Sequence, residues 1–248
     1  MRTYGLVVYA GFVAVLAYFV GWVEGLVVPR TIDDGPAGSA ALAIVVDLFL
    51  LGVFAGQHSV MARPWFKRHW TRVVPAAAER STYVLLATVV LALVMWLWRP
   101  LPGVVWDIDP APVRIAVYAV SFGGWGLALL STFAIDHFDL FGVSQVLRHH
   151  DRRSPGEPTL VEPLLYRVVR HPLYLGFLIA FWAAPTMSAG RLLFAAGMTG
   201  YVLMAIRLEE RDLVRTFGER YRAYRRRVPG LVPRLPRRVE RPKATSRP

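Results

Sequence analysis

Residues that could do chemistry stand at the ends of long apolar segments of this sequence. They are one amide together with imidazole, carboxylate and guanidinium groups: Gln57, His58, Asp136, His137, Asp139, Arg170, His171, Arg207, Glu209 and Glu210. Histidine exchanges protons near neutral pH, and carboxylates and guanidinium groups bind ligands of opposite charge. The sequence has no cysteine, which excludes a cysteine nucleophile, an iron–sulfur cluster and a thiolate metal site. Any chemistry must use these side chains, tyrosine or a bound cofactor.

The apolar segments themselves are typical of a membrane protein. Hydrophobic residues fill 55% of the 248 positions and charged residues only 19%, against about 25% in soluble domains. A bilayer core of about 30 Å requires roughly 20 helical residues. Six runs with at most one charge reach or approach that length: 4–23, 35–57, 81–98, 115–135, 172–190 and 192–206. We therefore predict an all-α polytopic membrane protein in one domain, residues 1–230. It has six transmembrane helices, the last two in a tight hairpin, or five and a re-entrant hairpin.

The distribution of basic residues predicts the orientation of these segments. If the N-terminus is cytoplasmic, 25 of the 29 lysines and arginines fall in the inner loops and tails, and only Arg30, Arg99, Arg114 and Arg191 lie outside. Inner loops of membrane proteins are rich in lysine and arginine. We therefore predict a bacterial inner-membrane protein with both termini in the cytoplasm. Contact with membrane lipid accounts for the net charge of +12, and we expect no nucleic-acid partner.

In this orientation, the polar ends of four apolar segments lie on the inner face of the membrane. Their imidazole, carboxylate and guanidinium groups can converge there on a pocket that is open to the cytosol. Polar residues are common next to the membrane, so no single residue of the set indicates a site. Because four helix ends carry such residues on the same face, the set favours a function.

Two acidic residues lie within or at the end of apolar segments. Asp47 stands near the middle of the second run, where an acid is unfavourable by roughly 2.5 to 3.5 kcal/mol on insertion scales. Both structural pairing and a functional role stay open for Asp47. It is about 15 Å of helix away from Gln57, so we expect it outside the inner pocket. Glu24, which follows the first run, is expected at the membrane interface.

After residue 206 the sequence changes from apolar to amphipathic. Hydrophobic residues recur there at helical spacing among arginines: Leu213, Val214, Phe217, Tyr221, Tyr224 and Val228. This pattern predicts a cytoplasmic amphipathic helix whose arginines contact anionic lipid headgroups. Residues 231–248 are basic and rich in proline, which predicts a mobile tail.

Several motifs are similar to those of a known family of membrane enzymes. Residues 170–176 read RHPLYLG, 209–213 read EERDL and 217–224 read FGERYRAY. Together they resemble the cofactor-binding half of the isoprenylcysteine carboxyl methyltransferase superfamily. The first half of the chain adds QHSVMARP at 57–64, ERSTY at 79–83 and HFDLFG at 137–142. These motifs are similar to the NnrU-type branch, and in particular to its methanethiol S-methyltransferases. The resemblance spans nearly the whole chain.

The resemblance implies an enzyme that uses S-adenosylmethionine to methylate a small volatile thiol. The expected reactions are methanethiol to dimethyl sulfide and hydrogen sulfide to methanethiol. Carried over to this sequence, the expected cofactor contacts are Arg170, His171, Tyr174, Gly176, Glu209 and Glu210. Carboxylates suit the ammonium group and ribose hydroxyls of the cofactor, and arginine or histidine suits its carboxylate. Gly176 would allow close approach either of the cofactor or of another helix.

The thiol has to lose a proton during methylation, so a base or a local positive field should help. A thiol near the cysteine reference pKa of about 8.5 is only a few per cent ionised at pH 7. His137 and His58 are the candidate catalytic bases, with Asp139 placed to orient or assist. We expect no metal ion and no covalent enzyme intermediate.

Other functions remain open at this point. A transporter or haem-handling protein could use the same histidines and arginines, and the NnrU-type name suggests a non-enzymatic accessory role. Among methyltransferases, a prenylcysteine or phospholipid substrate is the main alternative, because a lipid-facing groove is built from the same apolar residues as a lipid-facing helix.

Overall fold

The structure is a computed structural model that describes residues 1–36, 38–148, 160 and 162–233. Residues 234–248, most of the predicted tail, lie outside the described part. The helices are α1 (Arg2–Glu24), α2 (Ala40–Met61), α3 (Pro64–Trp70), α4 (Glu79–Leu97), α5 (Ala111–Ile135), α6 (His137–Leu140), α7 (Val143–Arg148), α8 (Leu164–Val168), α9 (Pro172–Trp182), α10 (Ala189–Phe217) and α11 (Glu219–Arg227). The strands are β1 (Val104–Asp107) and β2 (Thr186–Ser188).

Five helices of the described chain are long and apolar enough to cross a membrane: α1, α2, α4, α5 and α10. The prediction of a helical polytopic membrane protein is confirmed at this level. The fifth predicted run instead forms α9, which has only 11 residues and is about 16 Å long, too short for a bilayer core of about 30 Å. The core between these helices is rich in aromatic rings: Phe19, Trp22, Trp98, Trp125, Phe181 and Phe194.

The chain between α9 and α10 is a strand and not the predicted tight turn. Pro185 cannot continue a helix, and β2 follows it and pairs antiparallel with β1. The backbone groups that leave the helix are bonded here. The Pro185 carbonyl accepts from the N–H of Ile108 at 3.0 Å, and the Ala184 carbonyl accepts from the indole of Trp106 at 3.0 Å. The two strands therefore provide hydrogen bonds that a longer helix would have made internally.

Glycine allows α5 and α9 to approach each other closely. A Cβ atom at Gly124 would lie 2.6 Å from the carbonyl oxygen of Gly176. A Cβ atom at Gly176 would lie 2.6 Å from both the Gly124 carbonyl oxygen and the Ala128 nitrogen. Small residues at such positions let transmembrane helix backbones pack directly. This contact fixes α9, and with it His171 at its start, against α5.

Both acidic residues of the apolar segments are buried and bonded. The Asp47 carboxylate is fully buried and accepts a hydrogen bond of 3.0 Å from the backbone N–H of Arg99, which favours a structural role for this acid. Glu24 is 3% exposed and accepts hydrogen bonds of 2.7 Å from Ser121 and Trp125. The expectation that Glu24 lies at the membrane interface stays a prediction, and its side chain is buried in protein, where two donors from α5 compensate for its burial.

The predicted amphipathic helix is divided between two helices. α10 continues to Phe217, and α11 starts after Gly218, whose φ of 55° lies in the region that glycine tolerates. Hydrophobic side chains of α11 and the following residue pack on the end of α10 and nearby chain: Tyr221, Tyr224 and Val228 against Leu160, Leu213, Val214 and Phe217. Through these contacts, α11 folds back on α10.

Candidate active site

The start of α9 and the later part of α10 bring most of the predicted cofactor residues together. His171 precedes Pro172, which suits the first helical position because its missing N–H would have been unpaired there. Glu209 and Glu210 lie about two turns before the end of α10. Oε1 of Glu210 is 2.7 Å from Nη2 of Arg170 and 3.2 Å from Nε2 of His171. We call Arg170, His171, Tyr174, Glu209 and Glu210 together the cofactor cluster. The end of the helix bundle that holds them is called the polar end.

Glu210 and Arg170 form a nearly buried ion pair, with side chains 11% and 13% exposed. Their remaining groups are also engaged. The second carboxylate oxygen of Glu210 lies 3.4 Å from Nε of Arg225. The backbone N–H of Arg170 donates to the Pro229 carbonyl at 2.8 Å, and its guanidinium donates to the Val228 carbonyl. The pair therefore holds the chain that follows α11 against the start of α9.

Glu209 is more open than Glu210. Its side chain is 41% exposed, and Oε2 lies 3.9 Å from Nδ1 of His171. The Tyr174 hydroxyl lies beside the same carboxylate, and the Tyr174 ring centre is 5.7 Å from that of His171. Glu209 and Tyr174 thus offer a partly exposed carboxylate and an aromatic ring to a ligand.

An aromatic group lies next to the cofactor cluster, between α2, α4 and α10. It consists of Phe54, His58, Tyr83 and Tyr201. The ring centre of His58 is 5.5 Å from that of Phe54, 5.3 Å from Tyr83 and 6.3 Å from Tyr201. Tyr174 lies near Tyr83 and Tyr201. The aromatic group, which includes the predicted base His58, therefore lies on the side of the cofactor cluster where Tyr174 stands.

His137, the other predicted base, lies between α1 and the end of α5. Its Nε2 is 2.8 Å from the Tyr9 hydroxyl and its Nδ1 is 2.7 Å from the Thr132 hydroxyl. The ring stacks on Phe133 with centres 4.1 Å apart. Burial lowers the pKa of the His137 imidazole, and the nearby Asp136 carboxylate partly opposes this effect. Both ring nitrogens are hydrogen-bonded to hydroxyl groups of the protein, and a catalytic role for His137 stays a prediction.

Two further predicted site residues face other parts of the fold. Asp139 is half-buried in α6 and lies near Lys67. In the described part of the chain, no side-chain hydrogen bond joins it to His137 or His58. Gly176 faces α5, so helix packing accounts for the glycine at this position. A catalytic role for Asp139 and a cofactor contact for Gly176 stay predictions.

Sequence reasoning missed three members of the aromatic group. Phe54 stands four residues before His58, one helical turn, so both lie on the same face of α2. Tyr201 stands eight residues before Glu209, about two turns, on the same face of α10. These spacings could have indicated that Phe54 and Tyr201 face the same side as the predicted site residues. Tyr83 belongs to a recognised motif, but its contact with His58 joins two helices and could not be read from spacing.

Comparison with curated proteins gives matches over nearly the whole chain. A methanethiol S-methyltransferase of Mycobacterium tuberculosis is 52% identical over 230 residues, which cover 93% of this chain and 94% of that protein. Methanethiol S-methyltransferase 1 of Bradyrhizobium diazoefficiens is 50% identical over 230 residues, covering 93% and 81%. The chain belongs to the methanethiol S-methyltransferase family. The resemblance predicted from the motifs is confirmed.

The chain is also similar, at lower identity, to proteins named Nurim. Nurim of Pan troglodytes is 34% identical over 177 residues, which cover 67% of this chain and 66% of that protein. No family model and no solved structure matches the chain.

Proposed function

We propose that this chain is an integral membrane enzyme that methylates methanethiol to dimethyl sulfide, with S-adenosylmethionine as the methyl donor. The observation that carries the proposal is the identity of about one half with methanethiol S-methyltransferases along 93% of the chain. Five apolar helices agree with a membrane enzyme. Hydrogen sulfide, methylated to methanethiol, is proposed as a second substrate of the same site.

The chemistry of the cofactor cluster fits S-adenosylmethionine. The partly exposed carboxylate of Glu209 suits the cofactor's ammonium group or ribose hydroxyls, since hydrogen bonds to charged groups are the strong ones. Nε2–H of His171 donates to Glu210, which leaves Nδ1 to accept from a ribose hydroxyl of the cofactor. The ring of Tyr174 can stack on the adenine or lie near the cationic sulfur. Arg170 and Glu210 are already bonded to each other. We therefore assign them to holding the cluster together and not to direct contact.

Catalysis in this site consists mainly of positioning the two reactants and of moving one proton. Bound S-adenosylmethionine supplies an electrophilic methyl group. The cofactor cluster would hold the methyl donor, and the rings of the aromatic group would contact the thiol, so that the protein aligns the sulfur with the methyl group. Walls of protein and lipid exclude water there. His58 suits the role of base better than His137, because both nitrogens of His137 are bonded to hydroxyl groups.

Purified protein in detergent or nanodiscs is expected to produce dimethyl sulfide from S-adenosylmethionine and methanethiol. Headspace gas chromatography measures the product, with controls that omit the cofactor or the thiol. A prenylcysteine analogue serves as the competing acceptor. Methylation of the analogue without dimethyl sulfide would replace the proposed substrate while keeping the cofactor. The relatives' names do not favour a prenylcysteine, phospholipid, transport or accessory function.

We also propose that the protein lies in a bacterial inner membrane with both termini and the polar end in the cytoplasm. The proposal rests on the 25 basic residues assigned to that side and includes a cytoplasmic position for α11. The predicted single domain over residues 1–230 is part of the same proposal.

Single cysteines in this cysteine-free chain test the orientation. Val73 is 80% exposed between α3 and α4, and Asp109 is exposed between β1 and α5. In intact spheroplasts an impermeant maleimide is expected to label Asp109→Cys at once and Val73→Cys only after permeabilisation. The opposite pattern would reverse the topology.

A further inference from the structure

The hydroxyl group of Tyr83 contacts two atoms of His58. It lies 2.9 Å from Nε2 of the imidazole and 3.5 Å from the backbone carbonyl oxygen. His58 is in the last turn of α2, where helix carbonyls lack a backbone partner. The next N–H beyond the helix, that of Ala62, bonds to the Val60 carbonyl instead. The Tyr83 hydroxyl is therefore the available donor for the His58 carbonyl.

This arrangement favours one tautomer of His58. A tyrosine hydroxyl carries one proton, so if it donates to the carbonyl it must accept a hydrogen bond from Nε2–H. The imidazole then has its proton on Nε2 and a lone pair on Nδ1. Donation to Nε2 would make one bond instead of two and would bury an Nδ1–H group without an acceptor, whereas the first arrangement leaves an Nδ1 lone pair that a ligand can protonate. The structure thus favours the tautomer with an unprotonated Nδ1.

Nδ1 of His58 can accept a hydrogen bond from a ligand. The atom is buried and has no hydrogen-bond partner among the described residues, and the same is true of Oε1 of the neighbouring Gln57. Rings of Phe54 and Tyr201 lie beside the imidazole. Sulfur packs favourably against aromatic rings. A small thiol therefore matches both features, because its sulfur suits the rings and its S–H suits the lone pair.

We propose that the acceptor thiol binds within the aromatic group with its S–H directed at Nδ1 of His58, and that Tyr83 is a positioning residue that keeps this nitrogen unprotonated. The proton passes from sulfur to Nδ1, whose lone pair forms the new N–H bond. The electron pair of the S–H bond stays on sulfur as the nucleophile. Nε2–H continues to donate to Tyr83 throughout. This assignment rests on the proposed function and adds the acceptor side of the same site.

Nitrogen-15 NMR of histidine-labelled protein tests the tautomer without cofactor or turnover. The chain has six histidines, and the His58 signals are those missing from His58→Gln. The wild-type protein is expected to show an unprotonated Nδ1 and a protonated Nε2 at His58. Tyr83→Phe should give a mixture of tautomers. A proton found on Nδ1 in the wild-type protein would overturn the proposal even if Tyr83→Phe does not fold.

Methylation assays test the proton transfer itself. General bases contribute about 10²- to 10⁴-fold, so His58→Gln is expected to lower kcat for methanethiol about 100-fold, and Tyr83→Phe about 10-fold. The dissociation constant of S-adenosylmethionine should stay within about twofold, because neither residue is assigned to the cofactor. Hydrogen sulfide is the more acidic acceptor, so both losses should be smaller with it.

The matched control is Tyr4→Phe on α1. It removes a hydroxyl group that is bonded at 3.0 Å to Thr82, the residue that precedes Tyr83 on α4. It should keep the wild-type kcat. Equal losses with both acceptors, or an unchanged kcat in Tyr83→Phe, would contradict the proposal. Wild-type protein that forms no dimethyl sulfide would instead refute the proposed function, and the NMR result would still decide the tautomer.

Discussion

Glu210→Ala is expected to lower the thermal midpoint of unfolding by about 6 to 12 °C. Removing one partner of a buried ion pair is unfavourable by about 3 kcal/mol or more, because the other charge stays buried, and each kcal/mol shifts the midpoint of a chain of this size by roughly 2 to 4 °C. Arg170 and His171 would both lose their shared acceptor oxygen. Thermal unfolding followed by circular dichroism in detergent measures the change.

Glu209→Ala is the matched control for this measurement, since it removes the neighbouring carboxylate from the same helix. The Glu209 side chain is 41% exposed and its contact with His171 is 3.9 Å long, so little stability depends on it. Its midpoint should stay within about 2 °C of the wild-type value. Equal midpoints for the two variants would mean that the ion pair of Glu210 does not stabilise the polar end.

Glu209→Gln is expected to weaken binding of S-adenosylmethionine at least tenfold. A hydrogen bond to a charged group contributes about 1.5 to 3 kcal/mol, and a tenfold change in affinity corresponds to about 1.4 kcal/mol. Glutamine keeps the size of the side chain but removes the charge that attracts an ammonium group. Isothermal titration calorimetry on the folded variant gives the dissociation constant directly.

Asp212→Asn is the control for the charge change. Asp212 lies three residues further along α10 and pairs with Arg63 at 2.7 Å, outside the cofactor cluster. Its neutralisation should change the dissociation constant by less than about twofold. If Glu209→Gln bound the cofactor as tightly as Asp212→Asn, the cofactor would have to be held elsewhere.

Properties that depend on composition and on spacing along one helix could be predicted from the sequence. The apolar runs indicated a helical membrane protein. The grouping of Arg170 and His171, just before α9, with Glu210 on α10 was implied by the resemblance and not by spacing. The length of α9 could not be predicted, because an uncharged run does not show where its backbone leaves the helix. Pairing with β1, about 80 residues earlier in the chain, decides where α9 ends.

Differences among the polar residues depend on contacts between helices, which spacing does not reveal. His58 and His137 are equivalent as sequence features, but Tyr9 and Thr132 occupy both nitrogens of His137 while Nδ1 of His58 stays unpaired within the described chain. Glu24 was expected at the interface for the same reason. Its donors Ser121 and Trp125 lie on α5, 97 and 101 positions away.

The pairing of β2 with β1 has a consequence for the order in which the protein is assembled in the membrane. Backbone groups that leave a helix need other hydrogen-bond partners when they are buried. The chain after Trp182 has left the helix, and the groups there bond to residues 103–108: the Ala184 and Pro185 carbonyls to Trp106 and Ile108, and the Ala189 N–H to Gly103. Those earlier residues are synthesised first. The end of α9 and the start of α10 therefore complete their hydrogen bonds with a part of the chain that the ribosome has already released, so we expect this end of the bundle to form only when residues 103–108 are in place.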